Sequence, residues 1–308
     1  MNKKPNVFIV GAPKCGTTSM AHYLSERNDV FVCDPKEPNY FSTDLNEKES
    51  YSGLFFRSER DYLELFSASE EQSVKIDAST SYLWSRDAAE NIRNRFPEAK
   101  VIVMLRDPTE LVISLHKEEL YSFAEDEESF EIAWSLQQSR KEGRNIPSAC
   151  REPKKLFYKD IASHGENLKR LYNYFGRENV LIVFMDDMKT DMRTEYLRVL
   201  NFIGLPIDER TDFPRINEAK EHKYRKISRF MKRNPIWLDG YVSSLRKVAW
   251  KLGLKGVRAK LLSKLTVPST KSDVSEELKQ KIRREFIDDV TLLEELTSRD
   301  LKSWKVQV

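Results

Sequence analysis

Cysteine is scarce in this chain. Cys15, Cys33 and Cys150 are odd in number and show no C-x-x-C spacing, which argues against a disulfide framework or a thiolate zinc site and fits a reducing, cytoplasmic setting. Long apolar runs are missing as well, so no segment qualifies as a membrane-spanning helix. The start, with two lysines ahead of an apolar stretch, mimics a signal peptide, but the run at 7–10 ends at Gly11-Ala12-Pro13-Lys14 and reads as a core strand. Repeats, low-complexity tracts and flexible linkers are absent too. A single domain over 1–308 with one variable excursion at 206–268 is expected.

The formal charge of +3 is unevenly spread. Between Lys220 and Lys260 stand thirteen Lys or Arg and two acids, a local excess of +11 that leaves about −8 on the remainder. Leu238, Tyr241, Val242, Leu245, Val248, Ala249 and Leu252 recur there at helical spacing. A solvated helix covering the core is the preferred reading. A peripheral membrane contact through 220–262, with Trp237 and Trp250 as interfacial anchors, ranks second. No nucleic-acid partner is expected.

Strand and helix patterns alternate as in a parallel sheet with helical crossovers, which predicts an α/β fold. The strands are expected at 7–10, 74–76, 101–105 and 180–184. Helices are expected at 17–27, 86–95, 108–123, 160–175, 195–203 and 275–296, with loops and helices over 206–268.

The stretch VFIVGAPKCGTTSMAHYL (7–24) carries the chemistry. Gly11 and Gly16 keep the spacing of a phosphate loop, G-x-x-x-x-G-K-[ST], after a strand and before a helix. Thr17 follows Gly16 where that pattern has lysine. The only lysine, Lys14, comes two residues before the second glycine. The backbone cradle is kept and the cation moved, so an anion site is expected without ordinary ATP chemistry. A second constellation, KVIVMLRDPTELVISLH (100–116), delivers Arg106 at a strand end and Ser114 just over two helical turns later. If the two strands are neighbours, Arg106 emerges beside the glycine loop, where its planar fork suits a phosphate and the Ser114 hydroxyl adds a donor.

These motifs, taken in this order, resemble the sulfotransferases that use 3'-phosphoadenosine 5'-phosphosulfate (PAPS). PKCGTTS is similar to the family's 5'-phosphosulfate loop, and LRDP with Ser114 to its 3'-phosphate site. The resemblance extends through KEPNYF (36–41), DASTSYLW (77–84), FYKDIASHGENLKRLYNYF (157–175) and SRDLKSW (298–304). The bacterial and heparan sulfate type branch is the nearest.

The resemblance implies a P-loop-like fold and sulfuryl transfer, with PAPS as donor, adenosine 3',5'-bisphosphate (PAP) as product and no metal requirement. It places Lys14, Cys15, Gly16, Thr17, Thr18 and Ser19 at the 5' end of the donor, and Arg106 and Ser114 at the 3'-phosphate. Lys14 is expected on the bridging oxygen, and Glu37 is expected as the general base, with Lys36 beside it orienting the acceptor or solvating the loop. The acceptor is expected to be a hydroxyl, with an amine second, of a carbohydrate or other small molecule, glycan or lipid-linked. Ala78 stands where relatives often carry lysine, Thr80 where proline is common and Leu111 where arginine is frequent. Tyr158 and the loop at 264–268 are expected to close over the nucleotide. His116 is the rival base, although two positions after Ser114 it should point away from that side chain. A P-loop kinase and a membrane-associated binding module are the alternative functions.

Overall fold

The computed structural model describes residues 3–45, 56, 58–69, 72–214, 216, 220–222, 266–268 and 274–306. Strand β1 (Val7–Gly11) is buried along its whole length, as a strand covered on both faces must be. It leads through α1 (Thr17–Ser25) to β2 (Val30–Val32). After α2 (Glu59–Glu64) come β3 (Val74–Asp77), α3 (Ser81–Trp84) and α4 (Ala88–Arg95). Strand β4 (Lys100–Leu105) feeds α5 (Pro108–Ser122), followed by α6 (Phe130–Ser135), α7 (Gln137–Lys141), α8 (Tyr158–Ala162) and α9 (His164–Phe175). Then come β5 (Val180–Phe184), α10 (Met185–Thr190) and α11 (Met192–Ile203). The short strands β6 (Lys220–His222) and β7 (Thr266–Pro268) pair antiparallel, and α12 (Glu276–Glu285) and α13 (Ile287–Thr297) follow.

Five strands form one parallel sheet in the order β2-β3-β1-β4-β5. The expected α/β architecture is the observed one. From β1 the chain builds β2 and β3 on one side, then crosses to β4 and β5 on the other. The crossovers therefore part at the carboxyl ends of β1 and β4, where a crevice opens. Strands β1 and β4 are hydrogen-bonded neighbours with Gly11 opposite Met104, which is the adjacency the Arg106 argument required.

Several elements differ from expectation for identifiable reasons. Strand β2, three residues at the edge of the sheet, is not among the strands expected from the sequence. The helix expected over 160–175 is two, broken at Ser163 (ψ 78°). The amino end of α9 is capped from far away: Asp289 accepts from the Gly165 and Glu166 N–H groups, both at 3.0 Å. The helix expected over 275–296 is likewise two, hinged at the fully buried Phe286. Residues 266–268, expected as a closing loop, form β7. The basic amphipathic stretch beyond residue 222, with Trp237 and Trp250, and the start of that loop at 264–265 lie outside the described residues.

Behind the crevice, Phe8, Phe41, Tyr82 and Phe96 meet mostly edge to face, and Tyr40 stacks on Tyr62 at 4.7 Å. This aromatic block anchors the loop after β2. The same loop carries KEPNYF.

Candidate active site at the carboxyl edge of the sheet

The turn after β1 is built by two glycines for different reasons. A Cβ on Gly11 would stand 2.8 Å from the Met104 carbonyl oxygen, so any side chain there would push β1 off β4. Gly16, at φ 86°, is the N-cap of α1 in the left-handed region that disfavours other residues. Between them Lys14 also has positive φ (64°), an uncommon state for a long side chain. No side chain caps α1 and no acid stands in its first turn. Its amino end is therefore suited to an external anion.

Two lysine–glutamate pairs flank this helix end. Lys14 Nζ donates to Glu118 Oε2 on α5 at 3.0 Å, with both side chains about a third exposed. Lys36 Nζ donates to Glu37 Oε1 at 2.8 Å and also reaches the Thr18 hydroxyl at 3.1 Å and that of Thr17 at 3.4 Å. The other oxygen of Glu37 accepts from the Thr80 hydroxyl at 3.3 Å. Glu37 (φ 59°) and Asn39 (φ 53°) are both left-handed. Asn39 holds the loop to the segment after β3: its N–H donates to the Ser79 hydroxyl, and its side-chain oxygen accepts from Ser81 at 2.7 Å. Glu37, placed by resemblance, thus stands beside α1. Departures from the family pattern also matter, because Thr80 supplies the hydroxyl that orients Glu37.

Below that loop, Asp77 is fully buried and accepts from the hydroxyls of Ser79, Tyr62 and Tyr82 at 2.7–2.9 Å. Burial raises its pKa to about 6, against the opposing effect of those three donors.

Arg106 follows β4, and its Nη2 donates to Glu110 at 3.4 Å while Nε is buried with no hydrogen-bond partner among the described residues. Its carbonyl accepts from His164 Nε2 at 2.9 Å, which places the His164 proton on that nitrogen. His164 is fully buried, and desolvation holds its pKa down at about 4. Asp107 does not pair with Arg106. It caps α5 by accepting from the Thr109 and Glu110 N–H groups, with Pro108 at the first helical position.

Cys15 joins the two halves of the site electrostatically. Its thiol is buried and pushed up by desolvation, while the Arg106 guanidinium acts in the opposite direction. Cys15 is therefore no reactive thiolate, and only its backbone can face a ligand. Ser114 is half-buried on α5, one turn before Glu118 and on the same helix face, the face that meets Lys14. Ser19 is half-buried in the first turn of α1, next to Thr18.

One expectation is settled otherwise, and the rival base is set aside. Tyr158 does not close over a nucleotide: it is buried and donates to Glu125 at 2.6 Å, within a buried Glu125–Arg140 pair. His116, the rival base, is buried against Phe130 and Tyr158, and its Nε2 bonds the Glu127 carbonyl at 2.8 Å, so it is a packing residue. The SRDLKSW motif packs on α10. Arg299 pairs with Asp187, and Trp304 Nε1 donates to Asp186 at 3.1 Å. Sequence reasoning missed Glu118 and Thr80. Only the four-residue step from Ser114 to Glu118 offered a signal.

Comparison with known proteins bears on this geometry. The family model described as "Sulfotransferase domain" matches residues 4–286. Among curated proteins, the chain is similar to carbohydrate sulfotransferase 15 of Rattus norvegicus, 29% identical over 147 residues that cover 36% of this chain and 26% of that protein. It is also similar to heparan sulfate glucosamine 3-O-sulfotransferase 3A1 of Mus musculus, 25% identical over 201 residues, 65% of this chain and 46% of the relative. The chain thus spans less than half the length of these relatives. Among solved structures, a sulfotransferase from Alicyclobacillus acidocaldarius superposes with a TM-score of 0.69 at 23% identity, covering 98% of both chains, which shows a shared fold.

Proposed function

The chain belongs to the sulfotransferase-domain family, and from that premise we propose that it moves a sulfuryl group from PAPS to a hydroxyl, with an amine as second choice, of a carbohydrate acceptor. The names of the curated relatives support the acceptor class. One observation carries the reading: the Lys14–Glu118 and Lys36–Glu37 pairs flank the uncapped amino end of α1, while the neighbouring strand delivers Arg106.

The site residues fit two separate anionic groups on one donor. The N–H groups of Gly16, Thr17 and Thr18 hold the 5'-phosphate at the positive end of α1. Arg106, with its unpartnered Nε, and Ser114 hold the 3'-phosphate. Lys14 exchanges Glu118 for the oxygen that bridges phosphorus and sulfur. The acceptor oxygen attacks sulfur in line with that bridge and passes its proton to Glu37. As the new bond forms, the sulfur–bridge bond breaks, and its electron pair leaves on the 5'-phosphate. Lys14 neutralises that growing charge, an interaction stronger in the transition state than before it. The Thr80 contact fixes the Glu37 carboxylate for the proton transfer.

Incubation with sulfur-labelled PAPS and a panel of hydroxyl- and amine-bearing saccharides tests this. Label appearing on a saccharide supports the reading. No transfer to any acceptor, together with phosphorylation by magnesium ATP, would overturn it.

A further inference from the structure

One side of α12 holds more cationic charge than the protein itself satisfies. Glu276, Lys279 and Arg283 recur there at helical spacing, and this side meets the start of α5. Cations and carboxylates alternate along the contact: Arg106 Nη2 reaches Glu110 at 3.4 Å, Lys279 Nζ lies 4.0 Å from Glu110 and 3.6 Å from Glu276, and Arg283 Nη1 is 3.4 Å from Glu276. Every link is longer than the about 2.7–2.9 Å of a good charge-assisted hydrogen bond. The cations are the sheltered members, with Arg283 14% exposed, while Glu276 is 65% exposed, where such a pair contributes little. Arg283 Nε, like Arg106 Nε, is buried with no hydrogen-bond partner among the described residues, and so is the Thr109 hydroxyl in the first turn of α5. Orphaned buried groups of this kind are uncommon and point to a missing partner. Helix energetics do not account for the arrangement. Lys279 stands near the positive amino end of α12, where a cation is unfavourable, and the exposed Arg284 already serves the carboxyl end. Desolvation raises the pKa of Asp107 and the Arg283 charge acts against that rise, so the guanidinium lies close to the residue after Arg106.

We propose that Lys279 and Arg283 close the far side of the 3'-phosphate site, so that the donor is gripped between two elements, the turn from β4 into α5 and the helix α12. This inference rests on the sulfuryl-transfer reading above. Glu110 and Glu276 are placeholders, each exposed enough to return to water at small cost when a phosphate takes over the cations. A phosphate monoester carries nearly two negative charges, which one guanidinium leaves partly unmatched. Lys279 and Arg283 supply the remainder. The donor thereby ties α12 to α5. A nucleotide without the 3'-phosphate leaves both carboxylates in place and cannot make that tie.

The test uses the full chain with Lys279→Met, Arg283→Met and Arg283→Lys, and takes PAP and adenosine 5'-monophosphate as probes. Calorimetry should show PAP affinity falling about tenfold in each methionine variant while the monophosphate changes by less than about twofold, with Arg283→Lys lying between parent and Arg283→Met. Hydrogen exchange on the parent should show PAP, and not the monophosphate, protecting the amides of α12. Retained monophosphate binding reports that the variants have folded. PAP affinity within about twofold of the parent in both methionine variants, or α12 left unprotected by PAP, would overturn the proposal. Equal weakening of the two nucleotides would also overturn it, by making α12 a support for α5 alone. If the parent itself binds PAP no better than the monophosphate, it is the sulfuryl-transfer reading that fails, and this inference with it.

Discussion

Replacing Arg106 by alanine should erase the preference for a nucleotide with a 3'-phosphate while sparing the hold on the 5' end. Arg106 spends little of its hydrogen-bonding capacity inside the protein: one 3.4 Å contact goes to Glu110, and the buried Nε has no partner among the described residues. Glu110 is 42% exposed, so giving up that pair costs about 0–1 kcal/mol. A phosphate meeting the fork gains two charge-assisted hydrogen bonds of about 1.5–3 kcal/mol each. The net is about 3 kcal/mol, or roughly 100-fold in affinity. Calorimetry with PAP and with adenosine 5'-monophosphate, on parent and variant, isolates this difference. The ratio of the two affinities should fall from about 100 towards 1, and Arg106→Lys, which keeps charge without the fork, should lie between. An unchanged ratio would refute the assignment. A parallel loss for both nucleotides would mean that Arg106 acts by shaping the loop through Cys15 and the strand end.

Glu37→Gln should bind PAP as the parent does and lose transfer by roughly 10²–10⁴-fold, because the proton then has no acceptor; a variant within tenfold of the parent would remove Glu37 as base. Glu118→Gln frees Lys14 from a pair about a third exposed, so donor affinity should rise, by no more than about fivefold, in nucleotide titrations; a fall would show that Glu118 instead positions Lys14 for the donor. Asp77 and His164 make a stability prediction. With its folded pKa raised from 3.8 to about 6, Asp77 contributes stability that is complete below the unfolded value and is lost as pH rises through 6, on the order of 3 kcal/mol. His164, lowered from 6.5 to about 4, acts oppositely: its contribution is complete above 6.5 and is lost as pH falls through 4. The two offset each other in the parent. Urea unfolding of Asp77→Asn should therefore show stability rising from pH 4 to 6.5 relative to the parent, and parallel curves would contradict this.

What could be read from the sequence was what local pattern encodes. The glycine spacing, the displaced Lys14, the strand before Arg106 and the cap at Asp107-Pro108 each lie within one short stretch, where periodicity and turn chemistry apply. The four strands expected from apolar runs are present, and the outward turn of His116 from Ser114 followed from helical geometry alone. The rest depends on contacts between distant segments. Glu118 meets a lysine 104 residues away, and Thr80 reaches Glu37 across 43 residues because β3 lies beside β2. The breaks within the two long helical patterns are likewise tertiary: α9 takes its cap from Asp289 on α13, and the hinge at Phe286 is buried in the core. Tyr158 was misplaced for the same reason, since its partner Glu125 belongs to another segment.

The most direct measurement is competition between two nucleotides for the chain. The account requires that PAP bind saturably and at least about 100-fold more tightly than magnesium ATP, since Lys14 precedes Gly16 and Arg106 grips a 3'-phosphate. Calorimetry that finds magnesium ATP the tighter ligand, with PAP unable to displace it, would contradict that claim.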